Sequence, residues 1–192
     1  MAEEFKGLPV LVCRSQVTFD RWLERHHGRD DGLWLKFAKR GSAKRTLSYE
    51  QAREAAISWG WIDGLKHRWD EDYYVLRFTP RRRRSRWSQI NREIAESLIA
   101  AGAMRAPGLA QVEAAKADGR WEAAYAGSAT IEEPPDLLAA IEKSKAAQAH
   151  YGSISRSARF QIIYQVLDAK REATRQRRIE RFVEMLARGE SP

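Results

Sequence analysis

Residues 59–91 read WGWIDGLKHRWDEDYYVLRFTPRRRRSRWSQIN, and the parsing of this stretch decides the fold. It holds four of the seven tryptophans, and six arginines fall between positions 77 and 86. From Trp61 to Phe78 the pattern is that of two strands joined by the acidic turn Asp70, Glu71, Asp72. Tyr74, Leu76 and Phe78 face one side of the second strand, and Tyr73, Val75 and Arg77 face the other. Pro80 ends the pairing because it has no amide hydrogen for the ladder. After it the spacing becomes helical, with Ser85 read as the cap of a helix carrying Trp87, Ile90, Ile94 and Leu98 and ending near Gly102.

Upstream, Val10 to Val12 reads as a short strand. Thr18 is placed as the N-cap of a helix whose Phe19, Trp22, Leu23 and His26 share one face. Gly28 and the Asp30, Asp31, Gly32 cluster turn the chain into Leu33 to Phe37, an almost wholly apolar strand expected to be central and covered on both faces. The loop Arg40 to Arg45 has neither the glycine pattern nor the lysine placement of a phosphate-binding loop. Ser48 and Gln51 form a capping-box signature, Tyr49, Ala52, Ala56 and Trp59 continue that helix face, and Gly60 stops it. Downstream, Pro107 starts a further helix. Ala126 to Asp136, with Gly127, Ser128, Pro134 and Pro135, is the linker candidate. Phe160, Ile163, Tyr164 and Leu167 make one apolar face beyond it, and Ile179, Phe182, Val183 and Leu186 another.

The expected fold class is therefore α+β: a small N-terminal mixed sheet with two helices, followed by an all-helical C-terminal part. The expected domains are an α+β subdomain at 1–84, a helical segment packed on it at 85–126, and a C-terminal helical module at 136–192.

The net charge is +8, and six of those charges fall within residues 77–86, leaving +2 on the rest of the chain. Basicity this local points to one anionic site more than to a surface coated for polyanions. One cysteine, Cys13, excludes an intramolecular disulfide framework and points to a reducing compartment. The acidic N-terminus does not read as an export signal, and no apolar run has membrane-spanning length, so a cytoplasmic protein without membrane insertion is expected. His26 and His27 are adjacent and diverge on a helix, and no metal-ligand spacing occurs, so neither metal nor cofactor is expected.

Candidate ligand-binding residues are Trp61, Asp63, Arg77, Arg81, Arg82, Ser85, Trp87 and Asn91. Two or three guanidinium forks beside a helix start would hold a phosphate or carboxylate. Four consecutive arginines cannot all converge on one ligand, and the competing reading is a solvated basic turn pairing with Asp63, Asp70 or Glu71. Asp63, in a tryptophan-rich strand, needs a partner, for which Arg77 or Arg81 is nearest in the pattern. His67 would join Asp63 in a dyad only if the strand bends. No nucleophilic set is completed, so no catalytic residue is named and the chain leans away from an enzyme. Two alternatives stay open: an enzyme acting on a phosphorylated or carboxylated small molecule through Asp63 and the arginines, and a nucleic-acid module using the interleaved aromatics.

The run Trp59-Gly60-Trp61-Ile62-Asp63-Gly64, the segment Arg77 to Arg82, and Ser85, Trp87, Ser88 and Asn91 resemble the hallmark block of the bacterial YdeI/OmpD-associated family, also called bacteriocin-protection proteins. Ala114 to Trp121, Ala169-Lys170, Thr174-Arg175 and Arg178-Ile179 extend the resemblance over nearly the whole chain. Trp59 stands where a cysteine or small residue commonly precedes the first glycine, and the arginine run is extended. The resemblance implies a role in resistance to bacteriocins, antimicrobial peptides or envelope stress, and an association with an outer-membrane porin. It supplies no reaction and no catalytic residues.

Overall fold

The computed structural model describes residues 3–29, 31–127 and 130–192. The chain forms two compact units, one ending at Ala124 and one beginning at Tyr125. Asp30 of the expected turn and Ser128 of the expected linker lie outside the described residues.

The first unit is built on a five-stranded sheet. In chain order it contains β1 (Glu4–Phe5), β2 (Leu8–Val12), α1 (Gln16–His26), β3 (Leu33–Ala38), α2 (Tyr49–Ser58), β4 (Trp61–Arg68), β5 (Tyr73–Pro80), α3 (Gln89–Ala100) and α4 (Ala106–Ala117). The spatial order is β1-β2-β3-β5-β4, with β2 and β3 parallel and the other neighbours antiparallel. The sheet is thus mixed, and the expected α+β class holds.

β3 is the central strand because its residues are apolar on both faces. Leu33, Leu35 and Phe37 join Phe19 and Leu23 of α1, Ala52 and Ala56 of α2, and Leu76 and Phe78 of β5 in the main core. Trp34 faces the other side with Val10 and Val75, under Phe5, Leu8 and Trp69. Lys36 shares that second face and is buried. Its ammonium group meets Glu3 at 2.7 Å and lies 4.1 Å from the Trp69 ring centre, which offsets the cost of removing a charge from water. The expected alternation along β5 is observed, with Tyr74, Leu76 and Phe78 on the main core and Val75 behind it.

Helix starts follow local hydrogen bonding. Ser48 and Gln51 form the expected capping box of α2, and Gly60, at φ +76°, supplies the left-handed backbone that turns the chain into β4. Two expected caps are corrected. α1 is capped by Ser15, whose Oγ accepts from the Thr18 amide, so Thr18 lies inside the first turn. α3 is capped by Ser88, which accepts from the Asn91 amide, and Ser85 lies in the preceding turn. α4 packs closely on α2: a β-carbon at Gly108 would lie 2.2 Å from the Ser58 carbonyl oxygen. Ile57, Trp87, Ala95, Val112, Ala115 and Trp121 fill a second core among α2, α3 and α4.

The second unit contains α5 (Pro135–Glu142), α6 (Lys145–Ser153), α7 (Arg156–Leu167) and α8 (Glu172–Ala187). Its core takes Ile179, Phe182 and Leu186 from α8, as expected. From α7 it takes the expected Ile163 together with Ile162 and Val166, in place of Phe160, Tyr164 and Leu167. Leu167 is 48% exposed, and Phe160 and Tyr164 form ring contacts with Tyr125. Arg175 of α8 grips Asp136 of α5 through two bonds of 2.6 and 2.7 Å and holds that carboxyl below its ordinary range. No helix of the described residues is long and apolar enough to cross a membrane.

Candidate functional site

The site begins with a fault in the edge strand. β4 pairs with β5 as Trp61↔Pro80, Ile62↔Thr79 and Asp63↔Phe78, then resumes as Lys66↔Leu76 after a shift in register. Such a bulge bends the strand and re-aims its side chains. Here it places Gly64 and Leu65 beside Arg77, Thr79 and Pro80 of β5, and Arg82 and Ser85 of the following turn complete a groove of about 290 Å³. Among the described residues no carboxylate lines it.

Segment 81–86 is anchored by its backbone. The Arg81 amide donates to the Gly60 carbonyl at 2.9 Å, and the Ser85 amide donates to the Arg82 carbonyl at 2.8 Å. The Ser85 hydroxyl accepts from the Arg82 amide at 2.9 Å, and the Ser85 carbonyl accepts from the Arg120 guanidinium at 2.9 Å. The arginines diverge: Arg81 is buried, whereas Arg82, Arg83 and Arg84 are exposed. Arg77 Nη2 donates to the Asp31 carbonyl at a long 3.4 Å, and its Nε is buried with no hydrogen-bond partner among the described residues.

Three of the eight expected site residues, Arg77, Arg82 and Ser85, therefore share the groove, and the other five do not line it. Trp61 is wholly buried in the main core and donates its Nε1 hydrogen to the His27 carbonyl. Trp87 is buried edge-on against Trp121, and the Arg81 guanidinium lies 3.6 Å from its ring centre. Arg81 also donates to the Arg86 carbonyl at 3.1 Å. Asn91 is buried in the first turn of α3. A buried guanidinium stacked on a buried indole is frame chemistry that ties the turn to the second core.

Asp63 also differs from expectation. Its partner is Tyr49, whose hydroxyl donates to Oδ2 at 2.9 Å, and neither Arg77 nor Arg81 pairs with it. Burial first, and then the adjacent carboxylate, push the Tyr49 phenol far above its ordinary pKa. His67 lies across the sheet, 5.3 Å from Trp34 and 5.7 Å from Phe5, so no dyad with Asp63 forms. The acidic turn does not neutralise the arginine run: Glu71 pairs with Arg68, and Asp70 accepts from the amides of Asp72 and Tyr73. Among the described residues no group of three or more His, Cys, Asp or Glu side chains is arranged to hold a metal ion.

A larger basin, about 950 Å³, lies at the loop after β3 and is lined by Arg14, Lys39, Arg40, Lys44, Arg45 and Lys66. From sequence, Arg40 to Arg45 lack a phosphate-binding-loop pattern, and none of these residues is a candidate site residue. They come from three separated segments, and the only local signal is the density of basic residues between Lys39 and Arg45.

Residues 11–111 match the family model described as "Domain of unknown function (DUF8412)", which covers more than half of the chain. The chain belongs to this family. Residues 130–189 match a second model, described as "Bacteriocin-protection, YdeI or OmpD-Associated". The bacteriocin-protection similarity is thus shown for the C-terminal segment, including Ala169-Lys170, Thr174-Arg175 and Arg178-Ile179. The block at 59–91, which carries most of that resemblance, falls within the DUF8412 match, and residues 114–121 lie outside both matches. No curated protein and no solved structure matches the chain.

Proposed function

We propose that the DUF8412 unit is an anion-binding module that takes one phosphate or carboxylate group between Arg77, Arg82 and Ser85. The observation that carries this reading is the Arg77 guanidinium: among the described residues its Nε is buried without a partner, beside a groove that no carboxylate lines. The outer nitrogen of this guanidinium makes only one long bond, of 3.4 Å, and an oxyanion in the groove would give the under-bonded cation a charged partner. Trp61, Asp63, Arg81, Trp87 and Asn91 take the role of frame. The name of the C-terminal match supports a role in bacteriocin or envelope-stress resistance. Such a role would run through an anion, because a basic groove repels a cationic peptide. The single cysteine supports a cytoplasmic protein; Cys13 is fully buried, and burial pushes its thiol up to about 11.

The test is isothermal titration with sulfate and phosphate at low ionic strength. Wild type is expected to bind, and Arg82→Ala or Arg77→Gln to bind about tenfold more weakly, since one charge-assisted hydrogen bond contributes on the order of 1.5–3 kcal/mol. A flat wild-type titration sinks the proposal.

A further inference from the structure

We infer that the basin beside the β3–α2 loop is a second, separate binding site, for a small molecule carrying at least two phosphate groups. Six cations line it: Arg14 from the turn after β2, Lys39, Arg40, Lys44 and Arg45 from the loop, and Lys66 from beyond the β4 bulge. Among the described residues Glu50 is the one carboxylate in the lining, which leaves five net positive charges there.

These charges are gathered in one basin, whereas a cation such as Lys36 meets a carboxylate, that of Glu3, within 4 Å. Among the described residues none of the six basin cations is within that distance of a carboxylate oxygen. Like charges gathered without counterions raise the local potential, and a multivalent anion relieves it.

The loop is also fastened. The Lys39 amide donates to the Asp72 carbonyl at 2.7 Å, and Lys39 Nζ donates to the Asp70 carbonyl. Ser42 donates to the Asp72 carboxylate at 2.7 Å, Thr46 Oγ1 accepts from the Ala38 amide at 3.0 Å, and the Leu47 amide donates to the Cys13 carbonyl at 2.9 Å. The acidic turn thus orients the loop through Lys39 and Ser42, while Arg40, Lys44 and Arg45 line the basin. A fastened loop loses little conformational freedom when a ligand arrives.

The wall is aromatic. Tyr74 stacks on Phe37 with ring centres 5.3 Å apart, and Lys66 Nζ lies 4.1 Å from the centre of the Tyr74 ring. Tyr49 is aimed by its bond to Asp63. The volume suits a nucleotide-sized ligand, whereas Phe37 is buried and Tyr49 and Tyr74 are largely covered, leaving little stacking surface for a nucleic-acid strand.

Titrating the full chain with orthophosphate, pyrophosphate, ADP and a single-stranded oligonucleotide tests this. Pyrophosphate or ADP is expected to bind at least about tenfold more tightly than orthophosphate; the tighter of the two identifies an inorganic or a nucleotide source. Lys44→Ala combined with Arg45→Ala is expected to weaken that binding about tenfold. Both side chains are exposed, so the melting temperature of the double variant should match wild type. Arg82→Ala, in the other groove, is expected to weaken orthophosphate binding there and to keep the tighter diphosphate phase, so the two sites fail or survive independently. The inference is overturned if neither diphosphate binds, if the double variant binds as wild type does, or if the oligonucleotide binds more tightly than both diphosphates.

Discussion

Removing the Tyr49 hydroxyl tests the link between the β4–β5 hairpin and the basin. Tyr49→Phe keeps the ring, which lies 5.1 Å from the Arg53 guanidinium, and deletes the hydroxyl that donates to Asp63 and also meets Arg53. A hydrogen bond to a charged acceptor contributes about 1.5–3 kcal/mol when buried. Tyr49 and Asp63 are both partly exposed, so water recovers part of that, and a loss of about 1 kcal/mol is expected. Urea unfolding at pH 7 of wild type, Tyr49→Phe, Asp63→Asn and the double variant measures the coupling between the pair.

The pH dependence has a defined sign. The native phenol has a raised pKa, so the unfolded chain releases this proton first as pH rises from the ordinary value of 10.0. The bond's stability is complete below that value and declines above it, because the unfolded state gains from ionisation while the native state resists it. The advantage of wild type over Tyr49→Phe should therefore shrink in alkali above pH 10.0. A coupling below about 0.3 kcal/mol, or an advantage that grows in alkali, refutes the reasoning.

Gly108→Ala sets two effects against each other. Alanine gains about 1 kcal/mol of helix propensity, but its β-carbon would overlap the Ser58 carbonyl oxygen at 2.2 Å, and overpacking of this kind costs roughly 1–3 kcal/mol or more. Backbone cannot yield as a side-chain tip can, so a net loss of about 1–2 kcal/mol and a melting temperature lower by several degrees are expected; an unchanged or raised value counts against the α2–α4 contact. In the second unit, Arg175 depresses the Asp136 pKa, so its contribution is present at neutral pH and is lost as pH falls through the acid range. Asp136→Asn should flatten that part of the thermal stability profile, and an acid profile identical to wild type would contradict the assignment.

Much of the fold was legible because it rests on short-range chemistry. The apolar run of β3, the capping box at Ser48 and Gln51, the hairpin around Asp70 to Asp72 and the core face of α8 are each decided within a few residues. Reading failed where two local solutions were equivalent. Ser85 and Ser88 are the same residue type three positions apart, and the buried Trp87 between them favours the later cap. Along α7, Phe160, Ile163, Tyr164 and Leu167 obey helical spacing, but so do Ile162, Ile163 and Val166, and only packing chooses between them. Asp63 signalled that it needed a partner, but not that a tyrosine from α2 would supply it.

Sequence alone determined the α+β class and the concentration of charge at residues 77–86, because periodicity and charge are properties of neighbours along the chain. Tertiary structure decided what that charge does. It buried Arg81 against Trp87 and left Arg77, Arg82 and Ser85 together at a bulge. It also gathered Arg14, the 39–45 loop and Lys66 into a basin that no single segment announces. Side-chain direction and carboxylate pairing depend on residues far apart in the chain, so the uncompensated charges emerge only once the strands and the loop are in register.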